Sequence, residues 1–138
     1  MEGFRMKGRI DGKRVFEKWR YQRGDIYYVN LNPFRGSEQG GIRPCLVVQN
    51  NLGNRFAPTL IVVTITSRHD KKGSSTHYLL KGQRGLPRDS FVECEQIHTI
   101  DKSRIIRYLG RVSKEDMKRI ESILCYSIGV HIAGATAI

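Results

Sequence analysis

Two short apolar runs, PCLVVQN at residues 44–50 and TLIVVTIT at residues 59–66, limit what this chain can fold into. Each is nearly continuous and rich in β-branched residues, the pattern of strands covered on both faces. They predict the centre of a sheet. Between them NNLGNRFAP carries the turn formers Asn50, Asn51, Gly53, Asn54 and Pro58, which predict an extended hairpin connection or a short helical turn.

Further strand candidates surround this pair. GDIYYVNL precedes it, and THYLLKG, SFVECEQIHTI and RIIRYLG follow, the second of these being long enough to bend or bulge near its centre. Asp101, Lys102 and Ser103 turn the chain into the last strand. The one clear helix comes at the end, with Ser113 as N-cap, Asp116 three residues on, Met117, Ile120, Leu124 and Ile128 at helical spacing, and Gly129 as the stop. Without βαβ alternation or an internal repeat, the economical architecture is mainly β with a C-terminal helix: a small, partly closed antiparallel barrel.

At 138 residues there is room for one domain. Residues 1–22, MEGFRMKGRIDGKRVFEKWRYQ, scatter Phe4, Phe16 and Trp19 among basic residues without a sustained period. They predict a basic, partly mobile N-terminal extension that docks through its aromatics, leaving residues 23–138 as the domain. The chain holds 24 Lys and Arg against 13 Asp and Glu, a net charge of +11. That excess favours polyanions, nucleic acid first and an anionic membrane second.

Other chemistries are disfavoured. Cys45, Cys94 and Cys125 are far apart in apolar surroundings, which suggests reduced, buried thiols rather than a disulfide framework or a thiol nucleophile. His69, His77, His98 and His131 show no paired spacing, so no metal is expected. The Gly-rich segment lacks the Gly-Lys-Ser/Thr ending of a nucleotide-binding loop. No run approaches the ~18–20 apolar residues of a membrane span, and the expectation is a soluble cytoplasmic protein without a membrane partner.

GSEQGGIRP is the segment that invites a functional reading. Pro44 biases Arg43 toward extended geometry, and Gly40 and Gly41 let a polyanion approach the backbone. A guanidinium there can hold a phosphate through two parallel hydrogen bonds, or else cap the sheet or pair with a carboxylate such as Glu38. Thr66 closes the TLIVVTIT run, so its hydroxyl either emerges beside Arg43 or serves only as a strand former.

Taken together, RGDIYYVNL, GSEQGGIRPCLVVQNNLGNRFAPT, TITS, DSFVECEQIHTIDKSRI and the SIG at the helix end resemble the MazF/PemK family of bacterial toxin endoribonucleases, from Arg23 to Gly129. The resemblance implies a PemK/CcdB-like barrel, a homodimer, no cofactor, metal-independent and sequence-specific cleavage of single-stranded RNA, chiefly messenger RNA, and an acidic antitoxin of the MazE type. It places the catalytic arginine of the G-G-x-R-P motif on Arg43 and the catalytic hydroxyl on Thr66. The RNA-contacting loop falls on Phe34, Gly36, Ser37, Glu38, Gln39, Gly40 and Gly41, and the E-Q pair on Glu95 and Gln96. His98 stands where the family pattern has an arginine.

Cleavage without metal is simplest when the RNA's own 2′-hydroxyl attacks the adjacent phosphorus, which DNA cannot do. Arginine stays protonated and threonine is a poor base, so Thr66 reads as a positioning group, with His77 and His98 as titrating alternatives. Phe34, Phe56 or Tyr28 could stack bases, although Tyr27 and Tyr28 point to opposite faces of a strand and only one reaches a groove. Two competing readings are a CcdB-like toxin that poisons gyrase by protein contact and a basic nucleic-acid-binding module without catalysis.

Overall fold

The computed structural model describes residues 3–36, 38, 40–68 and 74–131. Its larger sheet is antiparallel and contains β3 (Asp25–Asn30), β4 (Ile42–Val47), β5 (Thr59–Thr66), β6 (His77–Leu80), β7 (Ser90–Asp101) and β8 (Ile105–Arg111), in the order β6-β7-β5-β4-β3-β8. The two apolar runs do form its centre. The connection between them is the short helix α1 (Asn51–Phe56), whose N-cap Asn50 accepts a hydrogen bond from Gly53 N. A 3-10 turn, Lys102–Arg104, leads into β8, with the Asp101 carboxylate accepting from Ser103 N.

The sheet bends round without closing, and the segment between β6 and β7 lies across the gap. Gln83 Nε2 donates to Arg111 O at 3.0 Å. Gly85 packs so closely that a Cβ there would stand 2.0 Å from Leu109 O, a distance only a glycine permits. The expected bulge in β7 is present: Val63 pairs with Ile97 but Thr64 with Glu93, so β7 carries extra residues between these pairs.

Each face of the sheet has its own core. On one face, Ile26, Leu46, Ile65 and Val92 pack under α2 (Lys114–Ser127). That helix begins as expected, with Ser113 Oγ accepting from Asp116 N at 3.0 Å. Its buried residues are Met117, Ile120 and Ile123, while Ile128 is exposed at the C-cap, followed by Gly129 at φ +77°. The apolar stripe thus ends one turn earlier than the spacing implied, because the αL residue stops the helix. Burying a side chain such as Ile120 is worth about 1.5–3 kcal/mol. On the other face Tyr27, Val29, Cys45, Val62 and Ile100 form a second core, flanked by Trp19, Tyr21 and Ile105.

The N-terminal extension contains an element that the periodicity did not reveal. β1 (Phe4–Ile10) and β2 (Lys13–Lys18) pair as an antiparallel hairpin separate from the main sheet. Its turn is Asp11-Gly12, both at positive φ (51° and 75°), the conformation a two-residue hairpin turn requires. The chain then docks through one of the three aromatics: Trp19 Nε1 donates to Tyr27 Oη at 2.9 Å, and its ring lies 5.3 Å from that of Tyr108. Phe4 and Phe16 stay exposed. Among the described residues no helix is long and apolar enough to cross a membrane.

Candidate active site

The register of the central strands brings Arg43 and Thr66 together. Cys45 pairs with Thr64 on neighbouring antiparallel strands. Continuing that register by two residues sets Arg43 opposite Thr66, and directly opposed residues share a face. Both line one open cavity of about 410 Å³, with Tyr28, Arg68, Arg88 and Ser90 among its walls. The two residues, 23 positions apart in the chain, become neighbours because β4 and β5 are adjacent strands.

Local contacts hold both groups in place. Arg43 Nε donates to Gly40 O at 2.8 Å, which aims the guanidinium from the loop side and leaves its planar fork for a ligand. Thr66 Oγ1 accepts from Arg68 N at 3.2 Å, so the oxygen is oriented and its O–H is the donor it can offer. Arg68 and Arg88 add positive charge that the sequence pattern did not place here. Both come from loops whose approach to Arg43 depends on tertiary folding, and their basic character was the only signal. Tyr28, not Tyr27, is the aromatic that reaches the cavity, since Tyr27 is buried in the second core.

The loop before β4 is braced at both ends. Leu31 N donates to Gly41 O at 2.9 Å, Gly41 N to the Asn32 side chain at 3.0 Å, and Arg104 to the carbonyls of Asn30 and Asn32. Phe34, half exposed, lies directly on Gly40: a Cβ at Gly40 would stand 1.9 Å from its ring. The bare backbone at 40 therefore makes room for Phe34, whereas at Gly41 a Cβ would meet nothing within 4 Å, and there the backbone is open to approach. Gly36 and Glu38 lie in the same loop. The predicted contacts Ser37 and Gln39 fall outside the described residues.

Glu95 and Gln96 sit at the β7 bulge and do not line the Arg43 cavity. The Glu95 carboxylate accepts from Thr76 Oγ1 at 3.0 Å and lies 3.1 Å from His77 Nε2. Burial pushes its pKa up, but its own backbone amide, His77 and Thr76 outweigh that and hold it below the usual carboxylate range. Glu93, fully buried, accepts from Thr64 Oγ1 at 2.9 Å. Folding thus gathers ligand-type atoms of His77, Glu93 and Glu95 within 4.8 Å of one another, which chain spacing did not suggest. Burial draws the His98 imidazole below its ordinary pKa, against the opposing pull of Glu38 and then Glu93. His98 is consequently neutral at pH 7, where an arginine would carry charge. Neither His77 nor His98 lines the Arg43 cavity.

Two of the cysteines are inert by construction. Burial pushes the Cys45 and Cys94 thiols up to about 12, so thiolate is scarce at neutral pH. Treating the folded chain with iodoacetamide at pH 8 is expected to alkylate Cys125 and leave Cys45 and Cys94 intact, read by peptide mass spectrometry. Labelling at Cys45 in the folded state would contradict the buried strand position.

A family model for PemK-like, MazF-like toxins of type II toxin-antitoxin systems matches residues 22–128. The chain belongs to the PemK/MazF toxin family. It is 44% identical over 110 residues to endoribonuclease EndoA of Bacillus subtilis, covering 79% of this chain and 95% of that protein. It is 42% identical over 111 residues to endoribonuclease MazF of Staphylococcus saprophyticus, covering 80% and 92%. The PemK/MazF fold is also seen in the crystal structure of MazF from Deinococcus radiodurans, with TM-score 0.73 and 24% identity over 82% of this chain and all of that one. A mycobacterial endoribonuclease in complex with its cognate antitoxin is similar at TM-score 0.65 and 25% identity, covering 81% and 96%. The hairpin β1–β2 lies outside the matched family region.

Proposed function

We propose that this chain is the toxin of a type II toxin-antitoxin system and an endoribonuclease that cuts single-stranded RNA without a metal, with Arg43 and Thr66 as its catalytic residues. The observation that carries the reading is the convergence of these two side chains, from adjacent central strands, on one open, arginine-lined cavity. The named activity of the two relatives above 40% identity supports it and weighs against both the gyrase-poisoning and the non-catalytic readings.

In this mechanism the RNA lies with its scissile phosphate against the Arg43 fork. The 2′-oxygen attacks phosphorus, the bond from phosphorus to the 5′-oxygen breaks, and the products are a 2′,3′-cyclic phosphate and a 5′-hydroxyl. Arg43 stabilises the charge that accumulates on the phosphate oxygens, and it does so from a position fixed in advance. Thr66 donates its O–H to a phosphate or sugar oxygen and so sets the angle of attack. Phe34 and Tyr28 stack bases, and Glu38, Gly41, Glu95 and Gln96 contact the flanking nucleotides. The chain works as a homodimer, and its basic surface receives an acidic antitoxin segment of the MazE type that folds on contact and excludes RNA.

Incubation with long single-stranded RNA in EDTA is the direct test. Discrete cuts bearing cyclic-phosphate and 5′-hydroxyl ends are expected; RNA left intact would overturn the assignment. Thr66→Ser is expected to keep most activity, whereas Thr66→Val removes the donor at nearly the same volume and lowers kcat about ten- to a hundredfold, the range for a hydrogen bond to a charged group. Equal kcat for the two variants would remove Thr66 from the chemistry.

A further inference from the structure

The hairpin β1–β2 belongs to neither the matched family region nor the Arg43 cavity, and its register sorts its side chains into two unlike faces. Phe4 lies opposite Lys18, Met6 opposite Phe16, and Arg9 opposite Arg14. Opposed residues share a face, and Arg14, Phe16 and Lys18 occupy alternate positions of β2, so these six side chains stand together. Phe4, Met6 and Phe16 are 47%, 53% and 40% exposed, an apolar set flanked by cations. Residues 3–20 hold seven basic side chains, those of Lys18 and Arg20 at its base included, against Asp11 and Glu17, and Glu17 is already engaged by Arg5. At ~3.3 Å per residue, β1 extends on the order of 20 Å, enough for several nucleotides.

The base of the hairpin continues the same chemistry toward the cleavage site. Phe4 lines a groove of about 670 Å³ whose other walls include Trp19, Tyr108, Lys102 and Arg107. The Arg107 guanidinium stands over the Tyr28 ring at 4.9 Å, and Tyr28 lines the Arg43 cavity. Aromatic and basic side chains therefore follow one another from the cavity, across the Tyr28–Arg107 pair, to the far end of the hairpin.

We propose that the hairpin and the groove at its base form a second binding site for single-stranded RNA, holding the nucleotides on one side of the cut. Bases stack on Phe4 and Phe16 while phosphates lie on Arg9, Arg14 and Lys18. The inference rests on the RNA reading of the Arg43 cavity. Exposed rings alternating with cations suit unpaired bases on a charged backbone; a duplex keeps its bases stacked within itself, and an acidic peptide has no bases to offer the rings.

The test uses the full-length chain carrying Arg43→Ala, so that RNA stays intact, and measures binding of short and long single-stranded RNAs of mixed sequence by fluorescence anisotropy. The long RNA is expected to bind more tightly. Phe4→Ala with Phe16→Ala should weaken that binding about five- to a hundredfold for each base that is no longer stacked, with little effect on the short RNA. Arg9→Gln with Arg14→Gln should reduce the slope of log affinity against log salt by about 0.7 for each phosphate that is no longer neutralised. In the chain that retains Arg43, both double variants should raise KM for long RNA and leave kcat unchanged. Circular dichroism of both pairs, whose side chains are exposed, checks that the hairpin persists. Unaltered long-RNA affinity and salt slope would overturn the proposal, as would a defect confined to inhibition by an acidic antitoxin peptide or to duplex binding. RNA that is cut with KM indifferent to the hairpin variants would sink this site and spare the cleavage reading; RNA bound through the hairpin but never cut would do the reverse.

Discussion

Replacing Arg43 by alanine is expected to lower kcat for RNA cleavage about a hundred- to a thousandfold, with RNA affinity much less affected. The guanidinium is the donor set against which the phosphate charge develops, and losing one preorganised donor of this kind typically raises the barrier by about 2.7–4 kcal/mol. The fold should survive, because Arg43 is only half-buried and its described hydrogen bond within the protein runs from Nε to Gly40 O. Arg43→Lys should recover little, since an ammonium presents a point charge where two parallel donors are needed. Single-turnover cleavage, with a thermal melt of each variant, makes the measurement. Near-normal kcat in Arg43→Ala would transfer the charge-stabilising role to Arg68 or Arg88, the other guanidinium groups lining the cavity.

The second large effect concerns stability and lies away from the site. Asp25 is fully buried, and its carboxylate accepts from Gln22 N at 2.9 Å, from Tyr27 Oη at 2.7 Å and from Arg111 Nε at 2.9 Å. Tyr27 is buried too, and burial, reinforced by its bond to Asp25, drives its phenol upward so that it stays a neutral donor. With Trp19 donating to Tyr27 Oη, the network ties the extension to β3 and β8. Asp25→Ala strands the Gln22 amide and the Tyr27 hydroxyl, at about 1–3 kcal/mol each, while Arg111, half exposed, can rehydrate. The expected loss is about 2–5 kcal/mol, or a fall in Tm on the order of 10 °C for a domain of this size. Asp25→Asn, which keeps an acceptor, should fall between. Thermal and urea unfolding with the same midpoint for Asp25→Ala as for the unaltered chain would show that the network contributes nothing to stability.

Much of the barrel was legible from local pattern. The strands β3 to β8, the bulge in β7 and the N-cap of α2 all follow from β-branched runs, strand length and capping chemistry, features read over a handful of neighbouring residues. The motif carrying Arg43 was legible too, because Gly-Gly-x-Arg-Pro is contiguous. The hairpin β1–β2 was missed because both of its faces meet solvent at many positions, so no apolar alternation marks it; only Asp11-Gly12 signals the turn. Ile123, not Ile128, completes the buried stripe of α2, since the helix ends at Ser127 and leaves Ile128 exposed as its C-cap.

Periodicity in this chain therefore specified which segments become strands and helix, because it records how often a side chain must leave water. It carried no information on the choice of Tyr28 over Tyr27 for the cavity, on the seating of Phe34 over Gly40, or on the arrival of Arg68 and Arg88 beside Arg43. Nor did it foretell the meeting of His77, Glu93 and Glu95. Those outcomes depend on the pairing register of β4 with β5, on the bulge that realigns β7, and on the loop that lies across the gap between β6 and β8. Each joins residues far apart in the chain, and such contacts are set by how the whole sheet curves and packs rather than by any one stretch of residues.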